Sequence, residues 1–274
     1  MKLLKAILIP AAFCCLVFFS SAPFSSCTKT EIVHDTTTVH DTTGCYDLKD
    51  GLIAYFNFNG GNLNDSSGNS NNIILNNGAV KTTDRFGRPN NAYLFNGTGN
   101  YMQVKNSASL SPANITMMAI IKLNGFYLGD YHVNQIIKKG FRDQSLGIYG
   151  LRIFPLVGDC CSPPDTTKEM LYGYYGDYNT TISVYDTSYF VHTNKWVTEV
   201  VTFDGFEAKI YVDGILKRTT TGSPFYTPNS DDFFIGRAEN PQYPYYFNGV
   251  IDEIRVYNKA LCEDAVKLLS SVKE

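Results

Sequence analysis

FNGVIDEIRVYNKAL, running from Phe247 to Leu261, decides the fold. Val250, Ile251, Ile254 and Val256 mark it as a buried strand, yet the adjacent carboxylates Asp252 and Glu253 interrupt the apolar run. Successive side chains of a strand face opposite sides, so the two acids are expected in different environments, one of them unusual. Only the dozen residues at the end of the chain read as helical. Glu263 and Asp264 open a turn, and Leu261, Ala265, Val266, Leu268 and Leu269 form one apolar stripe.

Upstream, strand-like runs alternate with turn residues: GLIAYFNF, AYLFNG, YMQV, the longer and more continuously apolar ITMMAIIKL, then KWVTEVVTF, EAKIYV and ILKRTT. Asp204-Gly205 and Asp213-Gly214 separate the last three runs and predict two hairpins, hence a local antiparallel meander. With so little helix, 14% aromatics and 22 glycines, the expected class is all-β, a two-sheet antiparallel jelly-roll sandwich with a short C-terminal helix.

The first 26 residues stand apart. Lys2 and Lys5, the apolar run from Ala6 to Phe19 and the small polar stretch from Ser20 to Ser26 follow the order of a secretory signal. The end, FSSC, resembles a bacterial lipoprotein signal, which implies Cys27 as the lipidated residue, with Phe24 departing from the usual Leu. Residues 27–44 carry Val-His-Asp-Thr-Thr twice, at Val33 and at Val39, and are too poor in apolar groups to fold, so they read as a tether. The domain is then expected over 45–274, at the bacterial outer membrane or cell surface, with the periplasmic face as the alternative. Membrane attachment is expected through the lipid alone. Asp and Glu number 26 against 23 Lys and Arg, two of which fall in the leader, so no polybasic face for nucleic acid is predicted.

Five pieces together resemble the laminin G-like, concanavalin A-like jelly roll, in particular its bacterial branch related to pentraxin and lectin domains. They are LIAYFNFNG with LNDSSGNSNN, FGRPNNAYLFNGTGNYMQV, WVTEVVTFDGFEAKIYVDGIL, FFIGR and FNGVIDEIRVYNKALCEDAV, covering about residues 50–122 and 195–269. The resemblance implies that the Ile-Asp-Glu strand lies near the N-terminal strand. It further implies a structural Ca2+ held by Asp252, with Asp65 as second contributor and backbone carbonyls completing the oxygen shell. The alternative for Asp252 is a turn cap or a pair with Arg255 or Arg237, and for Asp65 a purely local turn. Neighbouring first and last strands also imply a Cys45–Cys262 disulfide, where related domains carry Ser as the helix cap. Cys160 and Cys161, in GDCCSPPD, are left open between a vicinal bridge, other partners and free thiols.

Some enzymes of this superfamily hydrolyse glycosides with two facing carboxylates, as in a Glu-x-Asp-x-Glu strand, but no Glu here begins that pattern. Asp252 and Glu253, expected on opposite faces, cannot substitute. His132 and His192 lack a nucleophile context. The expected function is therefore a non-catalytic, lectin-like envelope lipoprotein that binds a polysaccharide or other glycan. A protein-binding or structural module of a surface complex is the alternative, and a glycoside hydrolase ranks behind both. Candidate sugar platforms are Tyr172, Tyr174, Tyr175 and Tyr178 in one cluster and Tyr243, Tyr245 and Tyr246 in another, although alternating tyrosines also suit half-buried strands. The segment from Asn124 to Asn194 fits the resemblance poorly and is where individual specificity is expected. Trp196 is expected to pack in the core.

Overall fold

A computed structural model describes residues 47–140, 147–155 and 168–272. The chain separates into two units, 1–40 and 41–274, and only the second contains described residues. The leader, the tether, Cys27, Cys45, Cys160 and Cys161 all lie outside the described residues.

Two antiparallel sheets face each other. The larger contains β1 (Leu52–Phe56), β3 (Val80–Thr82), β4 (Ala92–Asn96), β6 (Ile115–Leu123), β11 (Trp196–Phe203), β12 (Glu207–Val212), β13 (Ile215–Thr221) and β15 (Asn248–Tyr257). Its order is β13-β12-β11-β6-β15-β4-β3, with β1 also on β15. The smaller contains β2 (Ile73–Asn77), β5 (Tyr101–Val104), β7 (Asn134–Lys139), β8 (Ile148–Pro155), β9 (Glu169–Gly176), β10 (Ile182–Tyr185) and β14 (Phe233–Ile235), in the order β10-β9-β8-β7-β14-β5-β2. This is the jelly-roll sandwich, and α1 (Glu263–Ser271) comes after its last strand. The meander is β11-β12-β13: at its second turn Asp213 and Gly214 both have positive φ, 51° and 78°, as a two-residue hairpin turn requires.

The main core lies between the sheets and includes Phe56, Phe95, Ile121, Tyr149, Val201 and Phe233. A second cluster lies on the outer side of the larger sheet, where α1 sets Ala265, Val266 and Leu269 against Met118, Ile120, Val200 and Tyr211. Two expectations shift here. Leu268 is 38% exposed and leaves the helix stripe. Trp196 packs on the second cluster, with Lys122 over its ring at 5.1 Å, and is absent from the inter-sheet core.

Strand β15, which carries the Ile-Asp-Glu sequence, is central to the larger sheet. One edge of it pairs with β6, while its other edge is shared: Asn248–Ile251 pair with β4 and Ile254–Tyr257 with β1. Between these halves the register against β6 slips, Ile251 opposing Ile121 and Glu253 opposing Ile120. That bulge lets Ile251 and Ile254 both enter the core, where strict alternation would separate them. It also overturns the expectation that Asp252 and Glu253 occupy opposite environments, because Arg85 reaches both: Nη1 donates to Asp252 Oδ2 at 2.7 Å and Nη2 to Glu253 Oε2 at 3.4 Å. The Arg85 amide also donates to Asp252, Arg255 Nε donates to Glu253, and Arg255 Nη2 reaches the Tyr55 hydroxyl. Burial raises the Asp252 carboxyl above its usual range, and the Arg85 guanidinium opposes that shift. Arg85 Nη2 donates further to the carbonyl of Val272, tying the end of α1 to the bulge.

A third buried acid has no such neighbour. Glu199 on β11 shares the inward parity of Val197 and Val201, is fully buried, and neither carboxylate oxygen is hydrogen-bonded. Burial pushes its carboxyl well above the usual range; the Tyr172 backbone, which does not meet hydrogen-bond geometry with either oxygen, offsets this only in part.

Candidate functional site

The outward face of the smaller sheet is aromatic. Alternation along β9 turns Tyr172 and Tyr174 outward and Tyr175 into the core. Tyr175 is 2% exposed, its ring lies 4.6 Å from Phe203 and 4.5 Å from Tyr226, and its hydroxyl donates to the carbonyls of Pro112 and Ala113. Its place is structural, and it leaves the set of candidate sugar platforms. Tyr174 is covered too, at 6% exposure, because its ring lies across Gly150, where an added Cβ would stand 2.6 Å from the Tyr174 hydroxyl and 2.5 Å from the Ile137 carbonyl. Gly150 on β8 thus lets Tyr174 form a floor.

Over this floor stands Arg152, also from β8. Its guanidinium carbon is 4.3 Å from the Tyr172 ring centroid, 4.8 Å from Phe154 and 5.1 Å from Tyr174. Tyr172 stacks on Tyr185 of β10 at 5.4 Å with the rings nearly parallel. The result is a continuous surface of rings with one guanidinium laid on it.

The second tyrosine cluster meets the first. The loop from Gly236 to Phe247 is pinned by hydrogen bonds from Ala238 N to Pro244 O, from Phe247 N to Gly236 O, and from Gln135 N on β7 to Tyr245 O. It thereby carries Tyr243 and Tyr245 to the same groove. One cavity of about 190 Å³ is lined by Gln135, Lys138, Arg152, Tyr172, Tyr174, Tyr178, Thr181, Ser183 and Tyr245. An adjoining one of about 220 Å³ is lined by Tyr131, Tyr243, Glu239 and Asn240, and shares Lys138, Tyr178 and Tyr245. Tyr178, 48% exposed, stands at their junction. Tyr246 is turned to Tyr127, with centroids 6.4 Å apart, and lines neither cavity.

Lys138 and Glu239 form an ion pair at 2.7 Å in the groove wall, so the lysine charge is already balanced. Tyr131, His132 and Tyr245 have φ of 61°, 52° and 46°, a left-handed backbone that non-glycine residues adopt at a cost. Such strain gathers at binding sites, and two of these residues line the groove.

The two acids expected to hold calcium have the following partners. Asp65 accepts from the amides of Ser67 and Asn71 and from the Ser67 hydroxyl within its own turn, and from the amide of Tyr55 on β1. Asp252 is bound to Arg85, and the partners of the two acids do not overlap. Among the described residues no three His, Cys, Asp or Glu side chains gather to hold a metal.

Sequence reasoning missed Arg85 and Arg152. For Asp252 it weighed Arg255 and Arg237, but Arg255 pairs with Glu253 and Arg237 with the carbonyls of Ala238 and Glu239. Arg152 lies in the poorly matching segment, and the register that puts it beside Tyr172 leaves no mark in composition.

A family model described as the concanavalin A-like lectin/glucanases superfamily, of laminin G type, matches residues 96–267. The chain belongs to this superfamily. Several solved structures share its fold. Domain 4 of AbnA, a GH43 extracellular arabinanase from Geobacillus stearothermophilus, solved in complex with arabinotriose, is 21% identical over 80% of this chain and 98% of that one, with a TM-score of 0.59. The binding domain of Paraclostridial Mosquitocidal Protein 1 is 15% identical, with 81% and 52% covered and a TM-score of 0.61. The receptor binding domain of the botulinum neurotoxin C/D mosaic serotype is also 15% identical, with 81% and 51% covered and a TM-score of 0.60. The chain spans about half the length of these two toxin domains. No curated protein matches it.

Proposed function

We propose that this chain is a non-catalytic, lectin-like lipoprotein of a bacterial envelope, anchored by Cys27 and binding carbohydrate in the tyrosine groove. The observation that carries the reading is the convergence of Tyr172, Tyr174 and Tyr178 with Tyr243 and Tyr245 on one outward face. Rings of this kind offer apolar faces to sugar C–H groups and hydroxyls to sugar oxygens, and Gln135, Ser183 and Asn240 add polar atoms at the rim. The arabinotriose complex of the AbnA domain supports the same class of ligand. Within the described lining Glu239 is the one carboxylate, and it sits on Lys138, whereas glycoside hydrolysis uses two. The receptor-binding toxin domains favour a second reading, a protein partner.

The test is a glycan array probed with the purified protein. Binding abolished by Tyr178→Ala and by Tyr245→Ala supports the lectin reading. No binding by a correctly folded sample moves the groove to a protein partner.

Two stabilising elements belong to the same proposal. A Cys45–Cys262 clasp is supported by Cys262 being engaged in a disulfide at the N-cap of α1, and non-reducing peptide mapping that finds other partners would remove it. Calcium at Asp252 would require Arg85 to withdraw, so a melt with and without chelator decides it: a fall of several degrees supports the ion.

A further inference from the structure

We propose that Arg152 recognises the carboxylate of an acidic sugar, so that the groove selects uronate-bearing polysaccharides. This rests on the carbohydrate reading above and narrows it.

Arg152 differs from Arg85, Arg88, Arg237 and Arg255 by what it lacks, and from the exposed Arg218 by its burial. Guanidinium carries five N–H donors in a planar fork. Arg85 uses its fork on Asp252 and Glu253, Arg88 on Asp84, Arg255 on Glu253 and Tyr55, and Arg237 on two backbone carbonyls. Arg152 is half-buried in the groove, yet among the described residues it makes no hydrogen bond through its side chain and no ion pair, and its Nε is buried without a partner. A partly desolvated cation with open donors is costly unless something outside the chain completes it.

Its surroundings say what completes it. The rings of Tyr172, Phe154 and Tyr174 surround its guanidinium carbon at 4.3, 4.8 and 5.1 Å and hold the group at the groove that Arg152 lines. A carboxylate matches the guanidinium fork with two parallel hydrogen bonds. Lys138 does not compete for it, being neutralised by Glu239, so the described lining of the groove offers one unbalanced positive charge on a chain of net negative charge. Tyr178 and Tyr245 flank the same cavity and supply apolar faces for the sugar ring that bears the acid. A neutral sugar would use the tyrosines and leave Arg152 unanswered.

The experiment measures binding of the full chain to polygalacturonate, to the same polymer methyl-esterified, to neutral galactan and to a sulfated galactan. The expected result is binding to polygalacturonate about tenfold tighter than to its ester, weakened by salt. Arg152→Gln should erase that difference, and Arg152→Lys should restore part of it; melting curves matching the parent confirm the fold. Equal binding of the acid and its ester, or a preference for the sulfated polymer, overturns the uronate assignment and leaves the lectin reading standing. Failure of every polysaccharide to bind overturns the lectin reading itself.

Discussion

Arg85 and Arg152 are two arginines in apolar surroundings, with opposite fates. At the β15 bulge Arg85 faces two buried carboxylates and a backbone carbonyl, so charge and donors are consumed within the protein. On the outer face of the smaller sheet Arg152 has rings beneath it and, among the described residues, no acid paired with it. The difference separates a cation that holds the fold from one available to a ligand. Glu199 completes the series as an acid in the core with no arginine at all.

The contrast can be broken by substitution. Arg85→Ala should have the largest effect, a loss of about 3–5 kcal/mol in urea unfolding, because Asp252 and Glu253 stay buried without their shared cation; a loss below about 1 kcal/mol would show the bulge network to be dispensable. Tyr175→Ala, at the buried end of the tyrosine run, should cost about as much as other large aromatic truncations, about 3–5 kcal/mol. Tyr178→Ala, three residues on, should stay within about 0.5 kcal/mol of the parent and yet lose glycan binding.

Glu199→Met sharpens the comparison in the other direction. The folded carboxyl titrates above its usual value of 4.5, so below that value both states hold the proton and nothing is lost. As pH rises past it, the unfolded chain ionises while the folded one resists, and stability falls. Replacement by an apolar side chain should therefore stabilise by about 1–3 kcal/mol at pH 8, with the gain shrinking toward pH 4; a gain independent of pH would mean that packing, not ionisation, is responsible. The smallest effect is expected at Arg152→Gln, within about 0.5 kcal/mol in unfolding, since no internal partner is orphaned.

The fold was legible because apolar alternation and two Asp-Gly turns report strand and hairpin directly, as β11-β12-β13 demonstrate. The bulge was not. One residue of slippage reverses every facing beyond it, and Ile-Asp-Glu-Ile reads equally well with or without the slip. The groove was half legible: the tyrosines stood out by type, but Tyr175 differs from Tyr174 only in parity, and the meeting of residues 172–178 with 243–245 depends on a loop docked through the backbone of Gln135. Arg152 was silent because cross-strand register, unlike hydropathy, is a property of the pair of strands.

Strand β15 also has a consequence for synthesis on the ribosome. It is the central strand of the larger sheet, paired with β6, β4 and β1, and it leaves the tunnel after every other strand of that sheet. Until it emerges, β6 and β4 have no partner between them, and β1 has no partner in its sheet. A nascent chain of this protein therefore carries an open sheet until β15 has emerged, and the finished sandwich forms only after that.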